Sequence, residues 1–313
     1  MNAAAKSIGS RQKSKRLKKF LSHWQFYLII ALPLIYIIIF NYVPMYGVLM
    51  AFQRFSPSKG IWGSTWVGLQ NFVQFFSSPS SVRTIWNTLV IGVYQLVAGF
   101  PIPIILAVAL NEVGNRFFKK TVQMVTYAPY FISTVVLVGM MFQVMDLRNG
   151  IVNHFITALG GEAINFMGEA DMFRHIYVWS GVWQSAGYNS IIYIAALSGV
   201  SKELQEAAII DGASRLKRIW HVDLPAIAPQ IIILLIFNVG SVMGVGYEKV
   251  YLMQNSLNTS KSEVISTFVY KVGLVNADYG FSTAVGLFNS LISIILLTST
   301  NFIAKKLSDT SLW

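Results

Sequence analysis

FYLIIALPLIYIIIF, residues 26–40, contains no charged and no amide side chain. With its flanks it reaches about 25 residues, enough to cross a ~30 Å hydrocarbon core with some tilt. It is too long for the core of a signal peptide and lacks a small-residue cleavage site behind it, so it is expected to be retained. Five more apolar stretches of similar length follow. The spacing predicts six spans, at about 26–52, 84–110, 120–145, 174–199, 228–253 and 280–304. All six are expected to be helices, because a helix satisfies its own backbone in lipid and no alternating ten-residue barrel pattern is visible. Pro33, Pro44, Pro101, Pro103 and Pro129 fall within or at the ends of these stretches, where kinks are expected.

The composition agrees. Of 313 residues 54% are hydrophobic and 12% charged, against about 25% charged in a usual soluble domain. The fold class expected is therefore all-α integral membrane. There are no cysteines, which removes disulfides, thiolate metal sites and cysteine nucleophiles. The net charge of +11 is unevenly placed. The tail at 1–25, the turn after the second span, the loop at about 201–226 and the end at 305–313 carry sixteen basic and six acidic side chains, net +10. The opposite loops carry eight and seven, net +1. By the positive-inside rule both termini and the 201–226 loop are cytoplasmic. The basic tail is read as a topology and anionic-lipid signal, with no nucleic acid as partner. One domain is expected, 26–304, between a cytoplasmic N-terminal tail at 1–25 and a cytoplasmic C-terminal tail at 305–313.

The longest cytoplasmic loop contains EAAIIDGASRLKRIWHVDLPAIAP, residues 206–229. Ser201 stands as an N-cap, with Glu203 and Glu206 in the first turns where negative charge favours the helix dipole. Asp211-Gly212 ends that short helix, because glycine takes positive φ without penalty. Leu224-Pro225 and Pro229 mark re-entry into the next span. A helix this short needs either a groove on a partner or a lipid interface to hold it, and the sequence pattern leaves both open.

Nothing in the chain cradles nucleotide. No G-x-x-x-x-G-K-[ST] loop, H-E-x-x-H or G-x-S-x-G occurs, and the four histidines include no i, i+4 pair. No catalytic residue and no metal site are expected. A polar path through the spans needs hydrogen-bonding partners and flat aromatic faces, and buried polar groups in lipid-crossing helices should face an interior. The shortlist is Trp183, Gln184, Asn189, Asn238, Tyr247 and Glu248, drawn from a wider set with Asn87, Gln95, Gln143, Trp179, Tyr188 and Asn289. Each has a plainer reading as interfacial belt or helix tie. Glu248 and Lys249 form an adjacent acid–base pair, either a gate or two snorkelling groups. Gly240 and Gly244 have the spacing of close helix packing.

The 206–229 segment resembles the loop motif of binding-protein-dependent importer permeases of the maltose-transporter type: Glu206, Ala207, Ala208, Asp211, Gly212, Ala213, Leu224 and Pro225 stand at that family's spacing. Ile219 replaces its usual aromatic residue and Val222 its isoleucine. The stretches IIFNYVPMYGVLMAF, VGLQNFVQFF, WNTLVIG, ILAVALNEV, YAPYFIS, GIVN, FVYKVGL and SLW are similar to the LplB-like, complex-carbohydrate branch. The resemblance implies the type I ABC importer permease fold, with six transmembrane helices and a cytoplasmic coupling helix, in a bacterial cytoplasmic membrane. It implies that the chain pairs with a second homologous permease, as a heterodimer. Two cytoplasmic ABC ATPase subunits would bind ATP and Mg, leaving no cofactor in this chain, and an extracytoplasmic sugar-binding protein would deliver an oligosaccharide or polysaccharide fragment. The eight motif residues would form the ATPase-coupling element. Two other classes stand beside this reading. An ion-coupled secondary carrier needs membrane-embedded acids, and only Asp146 and Glu248 approach that; a non-transporting membrane scaffold would use the loop helix for recruitment alone.

Overall fold

The structure, a computed structural model, describes residues 22–308 and 310–313. The basic tail at 1–21 and Asp309, both used in the charge count, lie outside the described residues. Helix α1, Trp24–Phe52, passes through a π turn at Ile38–Tyr42 into a 3-10 segment that begins beside Pro44. None of its most apolar stretch is buried within the chain. A small antiparallel pair follows, β1 (Gln53–Arg54) against β2 (Thr65–Trp66), the only strands among the described residues. Then come α2 (Gln70–Ser77) and the long α3 (Pro79–Glu112), which stays helical through Phe100 because Pro101 occupies a first-turn position of its second half.

The expected third span is not straight. α4 (Arg116–Phe131) and α5 (Thr134–Val144) are bent by 100° at Ile132–Ser133. Pro129 turns the end of α4 into a 3-10 segment, and Ser133 restarts the helix by accepting a hydrogen bond from the Val136 N–H at 3.3 Å. After α6 (Ile151–Ala158) comes α7 (Ala170–Ser198), at the position of the expected fourth span. Its 29 residues extend about 43 Å. It is less apolar than the other long helices because Gln184, Ser185, Tyr188 and Asn189 interrupt it. By length and composition the described residues hold four helices able to cross a membrane, or five if the bent pair is one span.

Helix α8 (Lys202–Ile210) is followed by α9 (Arg215–Gly240). The expected fifth span, 228–253, is broken after Gly240, and Tyr247 and Glu248 belong to a separate helix, α10 (Tyr247–Met253). Gly244 therefore sits in the break and not on the face of Gly240, whose Cα side does pack on Leu297. The stretch at 254–279 folds inward. Its α11 (Ile265–Val275) enters with Val264 and Ile265 at 0% and 2% exposure, against α3 and the final helix α12 (Tyr279–Ser308).

The interior is built around α7. Tyr177, Val178 and Val182 pack with Ile91, Val138, Val245 and Val250, and Tyr193 and Leu197 pack with Ala107 and Ile227 nearer the α8 end. Helices approach closely where a side chain is missing. A Cβ on Gly92 would collide with the Val242 carbonyl, and one on Gly187 with the Thr126 carbonyl.

Candidate functional site

The short helix α8 is presented outward. It has no buried residue, and Leu204, Ile209 and Ile210 are 58%, 55% and 84% exposed. Ser201 is at the N-cap position but makes no capping hydrogen bond, while Glu203 occupies the first turn as expected. The C-terminal end is a Schellman turn: Gly212, at φ +75°, donates to Ile209 O at 3.0 Å and Ala213 to Ala208 O at 2.9 Å. A side chain at Gly212 would meet open space, so the constraint there is backbone conformation alone.

The motif residues divide by burial. Glu206, Ala207, Asp211 and Gly212 are exposed, Ala208 and Ala213 half-buried. Ser214 then caps the next helix through the Lys217 N–H. That helix begins at Arg215, earlier than Leu224-Pro225, and runs unbroken past Pro225. A π turn at Ile219–Asp223 removes the close carbonyl that an α-helical proline would strike. Leu224 packs under the loop with Ala107, Leu197 and Ile227; Pro225 is exposed.

Between α3, α7 and α9 lie two adjoining clefts that share Asn238. One, about 210 Å³, is lined by Asn189, Asn238, Tyr193, Phe100 and Pro103. The other, about 130 Å³, is lined by Gln95, Asn238, Ser241, Gly92 and Val245. Asn238 donates to Leu234 O at 2.8 Å, which leaves its carbonyl oxygen available as an acceptor. The result is an uncharged amide and hydroxyl stripe running to the break after Gly240. Such a stripe offers paired donors and acceptors to hydroxyl groups without the cost of a buried charge.

The rest of the shortlist lies elsewhere. Trp183 borders a separate apolar cavity with Leu137, Met141 and Trp179. Gln184 is committed to the fold, donating to Ile132 O at 2.8 Å where the bend leaves that carbonyl without a helical partner. Tyr247 joins a three-ring cluster with Tyr251 and Tyr270, centroids 4.7–5.2 Å apart. Glu248 is exposed and makes no ion pair among the described residues. Its neighbour Lys249 turns inward, donating to Tyr177 O at 2.9 Å and lying 4.8 Å over the Tyr177 ring, so the two adjacent side chains face different surroundings.

Two clusters escape a reading of the sequence. Asn87 is buried, donating to Ser260 O and Glu263 O and accepting from Arg174, so it pins the inward-folded loop. Arg218 turns away from solvent, unlike exposed Arg215 and Lys217, toward Glu112 at 3.4 Å and Gln205 at 3.1 Å. Only the adjacency of Gln205 to the Glu206 motif hints at the second cluster.

Comparison with known proteins places this geometry. Residues 99–309 match the family model of the binding-protein-dependent transport system inner membrane component. Protein LplB of Bacillus subtilis (strain 168) is 44% identical over 92% of this chain and 90% of its own length. The polygalacturonan/rhamnogalacturonan transport system permease protein YteP of the same organism is 41% identical over 98% of this chain and 96% of its own. A chain of a bacterial alginate ABC transporter, solved in complex with an alginate pentasaccharide-bound periplasmic protein, superposes with a TM-score of 0.87 at 33% identity, covering 94% of this chain and 99% of that one.

Proposed function

Since this chain belongs to the family of binding-protein-dependent transport system inner membrane components, we propose that it is the membrane permease subunit of an ATP-binding cassette importer for oligosaccharides or polysaccharide fragments. Its multi-pass helices support that role, and relatives named for polygalacturonan, rhamnogalacturonan and alginate transport support the substrate class. The observation that carries the coupling part is the outward-facing α8, closed by the Gly212 turn and bearing Glu206, Ala207, Ala208 and Asp211.

In this reading the chain crosses the membrane six times, with the bent α4–α5 pair and the polar α7 completing the count. Both termini and the 201–226 loop are cytoplasmic. A second, homologous permease supplies the other wall of the path, in keeping with the apolar face that α1 leaves uncovered. Exposed apolar surface of that extent is stable only against lipid or protein. Two cytoplasmic ATPases bind ATP and Mg, so this chain holds no cofactor and performs no chemistry. α8 docks on one of them with Leu204, Ile209 and Ile210, whose burial there contributes on the order of 1.5–3 kcal/mol each. An extracytoplasmic binding protein delivers the sugar.

Mild-detergent purification of the tagged chain from native membranes, with mass spectrometry of its companions, tests this. Recovery of a second permease and an ATPase is expected, with the ATPase alone lost from a Glu206→Ala, Gly212→Val variant. Recovery of no ATPase with the wild type would contradict the proposal.

A further inference from the structure

The geometry points to Arg218 as a positioning residue, the joint through which movement of α8 reaches the spans, by its simultaneous links to Gln205 on α8 and Glu112 at the end of α3. This rests on the proposed coupling role of α8. The helix hangs between two turns, Gly199–Ser201 and Asp211–Ser214, with no buried residue to anchor it. Among the described residues, Gln205 is the single α8 side chain hydrogen-bonded to another element. Its amide serves both ways, accepting from Arg218 Nη1 at 3.1 Å and donating to Asp223 Oδ1. Arg218 Nη2 reaches Glu112 Oε2, the last residue of α3, at 3.4 Å. One guanidinium thus ties the docking helix, the end of α3 and the start of α9, and its fork geometry is what allows two partners at once.

The joint is sheltered. The Arg218 and Glu112 side chains are 16% and 22% exposed, so water and salt screen the pair less than a surface bridge. Asp223 is 1% exposed, its Oδ2 has no hydrogen-bond partner, and its Oδ1 is bound by the same Gln205 amide that Arg218 donates to. A second acceptor for the guanidinium is therefore in place. Displacing α8 moves Gln205 and lets Arg218 exchange Glu112 for Asp223, which gives a discrete two-arrangement element of the kind needed to transmit a displacement.

The test uses the whole transporter in proteoliposomes, reading sugar taken up per ATP hydrolysed, for Glu112→Gln, Arg218→Ala and the double variant. Each single change is expected to lower that ratio on the order of tenfold with the ATPase still bound. The double is expected to be no worse than either single, because all three break one link. A wild-type ratio in the isosteric Glu112→Gln variant, effects that multiply in the double, or loss of the ATPase from Arg218→Ala would each overturn the joint. Gly212→Val runs alongside. If it keeps ATPase and uptake, the coupling role of α8 itself fails; if it loses them while Glu112→Gln transports normally, only the joint fails.

Discussion

At the scale of single residues, Gly212 and Gln184 show how backbone need and side-chain role separate. Gly212 holds φ +75° with free space beyond its Cα, so substitution acts through conformation and not collision. A residue forced into the left-handed region costs roughly 1–2 kcal/mol, least for Asn, which tolerates it. Gly212→Asn is therefore expected to retain more uptake than Gly212→Val, with melting of the detergent-purified chain little changed in both; equal loss would point to a need for the bare glycine surface. Gln184 is a different case. Its amide answers a carbonyl exposed by the α4–α5 bend, and leaving that carbonyl buried and unpaired costs about 1–3 kcal/mol. Gln184→Leu is expected to lower the melting temperature without changing which sugars are taken up. A changed sugar preference at unchanged stability would return Gln184 to the path.

At the scale of elements, what was legible in the sequence was local and what was not depended on partners distant in the chain. The end of α8 was readable because Asp211-Gly212 is a local instruction, and the 3-10 turn at Pro129 follows from proline's missing donor. Ser201 shows the limit: the residue type was right, yet no capping bond forms. The 100° bend and the break after Gly240 were hidden, because hydropathy continues across both. Gly240 and Gly244 suggested one packing face, whereas the tightest approaches are at Gly92, against the break after α9, and at Gly187, against α4, both far away in sequence. Gly92→Ala and Gly187→Ala are each expected to destabilise by about 1–3 kcal/mol, as overpacking does, read as a lower melting temperature or poorer membrane yield. Wild-type melting of both would mean that these helices sit further apart. Of the path shortlist, only Asn189 and Asn238 came together, since residues on separate helices share a cleft by packing and not by spacing.

At the scale of the whole molecule, two adjoining clefts gather Gln95, Asn189, Asn238 and Ser241 among α3, α7 and the end of α9, while α1 is apolar and uncovered. That asymmetry suits half of a path. Asn189→Leu with Asn238→Leu is expected to reduce uptake strongly while ATPase association persists, and unimpaired uptake would move the path elsewhere. The most direct measurement is oligosaccharide uptake by proteoliposomes containing this chain, its second permease and the ATPases, with ATP enclosed and loaded binding protein outside. Uptake that requires ATP in the wild type and is lost in Gly212→Val, with the melting of the chain unchanged, is the expected result. Uptake that proceeds without ATP, or that persists unaltered in the variant, would contradict it.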